Sequence, residues 1–151
     1  MRLLGRIIVI FFAVIFASMA MGIAIAAGLF GPQWHSLSGD IGERFVFWGT
    51  AFFASTLGGS LVFLPVLILI VLAEAFKVRS LLAHLAVGAA MLALVYAGSG
   101  LAPPSYEESI DYPPPPISRD VELAAAAGAV FGFAYWLIAG RNAGRWRERM
   151  K

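Results

Sequence analysis

Two stretches of this chain, Ile7 to Phe30 and Val46 to Ala73, contain no charged side chain at all. A bilayer core of about 30 Å is crossed by about 20 apolar residues of helix. Both stretches exceed that length. Two further apolar segments, Leu81 to Leu101 and Val121 to Ala139, match it. Backbone amides find no partner in hydrocarbon, so segments of this kind must satisfy their own hydrogen bonds as helices. Four spans account for most of the 151 residues. The expected fold is therefore all-α: an integral membrane four-helix bundle made of two helical hairpins, forming one domain. Hydrophobic residues reach 60% and charged residues only 13%, against roughly 45–50% and 25% in soluble domains.

Lys and Arg fix the expected orientation. Arg2 and Arg6 precede the first span, Lys77 and Arg79 follow the second, and Arg141, Arg145, Arg147, Arg149 and Lys151 follow the fourth. With four crossings these nine fall on one side, against only Arg44 and Arg119 on the other. Positive loops stay in the cytoplasm, which predicts cytoplasmic N- and C-termini. The apolar run from Ile7 is longer than the 7–15 residues of a signal-peptide core, so a retained first helix is expected rather than cleavage near Ala24–Ala26.

Small residues recur at helical spacing. Ser18, Gly22 and Ala26 form a stripe in the first span, Ser55 and Gly59 a pair in the second, and Ala89, Ala93 and Ala97 a row in the third. Ala124, Gly128 and Gly132 make a ridge in the fourth, including a GxxxG. Such stripes let helix backbones approach closely. The second span, about 28 residues, contains Pro65 and must tilt, kink or emerge. Gly31-Pro32 stops the first helix, and Ser80 is a fitting N-cap for the third. Trp34, Phe45, Trp48, Tyr135 and Trp136 stand where an aromatic belt belongs.

Chemistry-bearing motifs are few. Cysteine is absent, which removes disulfides, thiol catalysis and cysteine metal sites. A quinone-linked thiol oxidant is excluded with them. Haem b carriage needs paired axial histidines, and only His35 and His84 exist. A small four-helix proton antiporter needs a membrane-embedded carboxylate in an early span, and none is present there. HExxH, GxSxG and phosphate-loop motifs are missing. Ser99 and His84 stand about 22 Å apart on one helix, too far for a hydrolytic pair. No catalytic residue, cofactor or metal is expected.

Glu74, Arg79 and His84 form a candidate polar cluster across the hairpin between the second and third spans. A His–carboxylate pair there could relay protons, although charges near span ends more often serve topology. The loop between the third and fourth spans is acidic, with four consecutive prolines from Pro113 to Pro116. Its Tyr106, Glu107, Glu108, Asp111 and Tyr112 are candidates for partner capture, because polyproline is already stiff and loses little entropy on binding. The acids lack calcium-loop spacing. In the tail, Arg141, Arg145, Trp146, Arg147, Arg149 and Lys151 are expected to anchor to anionic lipid rather than nucleic acid.

The stretch FLPVLILIVLAEAFKVRSLLAHLAVGAA resembles small four-span inner-membrane proteins of Gram-negative bacteria through Pro65, Glu74, Arg79-Ser80 and His84. That group implies no activity. The expected role is non-enzymatic: a structural, accessory or assembly subunit, as a homo-oligomer or within a membrane-protein complex. The alternative is a small oligomeric transporter or channel component.

Overall fold

The computed structural model describes residues 2–31, 40–99 and 118–144, with side chains from Leu4 onward. It contains four long helices: α1 (Arg2–Phe30), α2 (Ile41–Ala75), α3 (Leu81–Gly98) and α4 (Arg119–Ile138). A short 3-10 turn, Gly140–Asn142, follows α4. All four helices are long and apolar enough to cross a membrane. The chain is a multi-pass membrane protein built as the sequence pattern predicts.

Local chemistry sets the helix ends. Asp40 caps α2 by accepting from the Glu43 amide at 2.8 Å. This cap starts the helix five residues ahead of the expected span at Val46. The 35-residue α2 is then about 52 Å long, well over the hydrocarbon thickness, so it extends beyond the apolar core. Pro65 lies inside α2, and the helix continues through it. Gly31, at φ +62°, terminates α1 in the left-handed conformation that glycine adopts at little cost. At the end of α2 the same conformation is taken by Lys77, at φ 55°. The Phe76 amide bonds back to Leu72 O and the Val78 amide to Ala73 O, which closes the helix and turns the chain. Ser80 and Ser118 cap α3 and α4 through their hydroxyls.

The helices are ordered α2–α1–α4–α3. α1 packs against both α2 and α4, and α3 packs most extensively on α4. α2 and α3 barely meet, although only residues 76–80 join them. The bundle therefore has two tight hairpin-like pairs and one open seam. Its main core runs through Ala13, Ala17, Met21, Val62, Ala127 and Phe131, and a satellite cluster joins Ala26, Phe47 and Ala51. Five small alanines among these explain the close approach of α1 to its neighbours. Large apolar side chains such as Phe52, Phe53, Phe63 and Leu64 point outward and are more than half exposed, as suits a surface solvated by lipid.

Candidate functional site

The ionisable groups of the described spans gather at the helix ends, and most of the polar bonding is concentrated at one of them. There the N-termini of α1 and α3 meet the C-termini of α2 and α4. Arg6, one turn into α1, pairs with Glu74 in the last turn of α2. Its Nε donates to Glu74 Oε1 at 2.9 Å, and its Nη2 also donates to Ala139 O at 2.9 Å. Both side chains of the pair are 13% exposed.

Neither charge suits its own helix. A cation near a helix N-terminus and an anion near a C-terminus both oppose the macrodipole. The antiparallel packing reverses this. Arg6 lies against the carbonyl ends of α2 and α4, and Glu74 against the amide end of α1. Each charge therefore complements its neighbour's dipole, and the pair links three helices.

The segment after α4 is drawn into the same cluster. The Gly144 amide donates to Glu74 Oε2 at 2.9 Å. Arg79 Nε donates to Ala143 O at 2.9 Å, and Trp136 Nε1 donates to Arg79 O at 2.8 Å. Two arginines thus donate to carbonyls of the segment after α4, Ala139 O (which also accepts from the Asn142 amide at 3.1 Å) and Ala143 O. Gly144 takes φ +71°, and a side chain there would run into Lys77.

Of the candidate polar cluster, Glu74 and Arg79 both join this clasp. His84 occupies a different niche. Its Nδ1 lies 2.8 Å from Ser80 O, and its ring stacks on Tyr135 with centroids 5.8 Å apart. Nε2 is buried against Gly140, where a Cβ would stand 2.8 Å from it, and has no hydrogen-bond partner among the described residues. Tyr135 is 5% exposed and belongs to the core rather than to an interfacial belt. Trp136 is half-buried and bonded within the clasp, whereas Phe45 and Trp48 are exposed.

The small residues line two helix contacts. Between α1 and α2, a side chain at Gly22 would strike Ala51 O and Ser55 Oγ, while Gly59 faces Ser18 at an ordinary 3.4 Å. Ala26 is fully buried beside Phe47 and Ala51. Gly58 is tighter than Gly59, with Met21 Cε 2.9 Å from the place of its Cβ. Between α3 and α4, Gly128 lies against the backbone of Gly88, and Gly132 against His84 O. Ala124, 8% exposed, continues that buried face.

Sequence reasoning passed over Arg6 as a site residue and Gly88 as a contact. Gly88 is the only glycine within the first four turns of α3, and that singularity was the available signal. The alanine row chosen instead ends at Ala97, which is exposed. Arg6 offered no local signal, since its partner is 68 residues away.

Arg141 is exposed, next to the clasp. Arg145, Trp146, Arg147, Arg149 and Lys151 lie outside the described residues, as do Tyr106, Glu107, Glu108, Asp111, Tyr112, Trp34 and His35. Comparison of the chain with protein-family models, curated proteins and solved structures finds no match. What the structure supports of the resemblance to bacterial four-span proteins is the four-helix, four-span organisation itself.

Proposed function

We propose that this chain is a non-enzymatic subunit of a larger membrane complex, structural or accessory in role, with both termini on the cytoplasmic side of a bacterial inner membrane. The observation that carries this reading is the placement of charge. Among the described residues, ionisable side chains stand only near helix ends, and at one end they bond to carbonyls, amides and each other. Coupled ion or proton transport usually places ionisable groups inside the membrane. Here the middle of every span is filled by packed apolar and small residues. The nine-to-two division of Lys and Arg supports the orientation.

Reconstitution tests the proposal. Purified protein in liposomes should show no ion or solute flux above that of protein-free vesicles. Robust flux from the protein alone, unaffected by replacing residues 103–118 with a Gly/Ser linker, would favour the transporter reading and overturn the subunit role.

A further inference from the structure

At the end of the bundle away from the clasp, all four helices line a cavity of about 280 Å³. That is close to the lower limit of small-ligand sites, roughly 300–1,000 Å³. Its walls are apolar: Ile25 of α1, Leu57 of α2, Leu92 and Val95 of α3, and Leu123 of α4. Leu92 lies two helical turns below Ser99 at the end of α3, so the cavity reaches about 10 Å into the bundle.

Polar groups gather at its mouth, where Tyr96, Ser99 and Asp120 join the lining. The Ser99 hydroxyl is used within α3 and donates to Tyr96 O at 2.7 Å. The Tyr96 hydroxyl donates to Asp120 Oδ2 at 3.4 Å, long beside the usual distance of about 2.7–2.8 Å. Asp120 is half-buried and forms no ion pair among the described residues. Residues 32–39 and 100–117, which join the helices at this end, contain no Lys or Arg. Arg44 and Arg119 are the two such residues at this end, and both are exposed rather than lining the cavity.

The start of α4 does not depend on this carboxylate. The Ser118 hydroxyl caps the helix, and Glu122 supplies an exposed acid in the same first turn. Asp120 differs in lining the cavity beside a phenol. An apolar cavity with one carboxylate at its mouth repels anions. A neutral apolar molecule would leave that carboxylate desolvated and unpaired. An ammonium pairs with the carboxylate, is favoured beside an aromatic ring, and leaves an attached apolar body to fill the space below. We propose that this cavity binds an amphiphilic amine, with the ammonium on Asp120 and the apolar body reaching Leu92. The inference goes beyond the subunit role and requires only the packing of the four helices.

The test uses full-length protein in phosphatidylcholine nanodiscs with 4-phenylbutylamine as probe. Equilibrium dialysis against protein-free discs subtracts partitioning into lipid. The wild type should show one saturable site per chain. Neutral 4-phenylbutanol should bind at least about tenfold more weakly, because it lacks the charge-assisted bond. Asp120→Asn should weaken amine binding by a similar factor. Glu122→Gln removes the same charge two residues away, outside the cavity, and should leave affinity within about threefold. Val95→Trp, which fills the cavity, should abolish saturable binding, and the two acid variants decide the matter even if it folds poorly. Discs of equal parts phosphatidylcholine and phosphatidylethanolamine should give the wild-type affinity. Absence of a saturable site in the wild type would overturn the proposal, as would equal binding of amine and alcohol. An unchanged Asp120→Asn variant, or equal loss in Asp120→Asn and Glu122→Gln, would do the same. So would loss of amine binding in the phosphatidylethanolamine discs, because a lipid headgroup would then be the occupant.

Discussion

Arg6 and Glu74 show how much depends on single residues in a chain this apolar. A nearly buried ion pair is stabilising only while both members are present, because removing one leaves the other charge in a low-dielectric site. Arg6→Met alone or Glu74→Met alone should each destabilise the fold by about 3 kcal/mol. The double variant should cost clearly less than the two singles together, with a coupling of at least about 1.5 kcal/mol. Reversible unfolding in mixed micelles measures all four corners of the cycle, and additive effects would mean that the pair contributes no mutual stabilisation. Glu74 stood out in the sequence as a carboxylate at a span end. Its partner did not, because chain proximity suggested Arg79 and His84, whereas helix rotation brings in Arg6 from the far end of α1.

The helices themselves were legible because uncharged runs of 20 residues or more have few alternatives in a membrane. Their pairing was less so. Each helix is apolar nearly all round, so periodicity does not identify a buried face. Only the small residues break that symmetry: Gly22 lies against Ala51 and Ser55 of α2, whereas Ala97, at the end of the alanine row, is exposed. At Gly128 any side chain would meet the Gly88 backbone, which cannot swing aside as a side chain can. Gly128→Leu should therefore destabilise the α3–α4 contact by about 2 kcal/mol or more, while Val130→Leu, at a position 37% exposed, should be nearly neutral. Thermal unfolding in detergent distinguishes them, and equal midpoints would place the glycine face toward lipid. The lack of cysteine permits a direct check of the other pair. The Cβ built at Gly59 lies 3.7 Å from Ser18 Cβ, within disulfide range. A Ser18→Cys/Gly59→Cys variant should cross-link within the chain under mild oxidation, visible as a faster-migrating band that reductant abolishes. Failure to form that band would argue against the α1–α2 register.

Across the whole molecule, one end of the bundle is tied together by ionic and hydrogen bonds, while one side, the seam between α2 and α3, stays open. Composition announced a membrane protein, but neither the clasp nor the seam could be read there, since both follow from how four similar helices are rotated against one another. The proposed orientation has its own check. Reporter fusions after Gly39 and Ser109 should register the periplasm, and a fusion at Lys151 the cytoplasm. A periplasmic reporter at Lys151 would reject the proposed orientation. The subunit role is tested most directly by mild-detergent purification of the wild type beside a variant whose residues 103–118 are replaced by a Gly/Ser linker. A membrane-protein partner should co-purify in fixed stoichiometry with the wild type and be lost from the variant, with membrane insertion intact. Recovery of the wild type as the isolated chain, with the same hydrodynamic mass as the variant, would contradict that role.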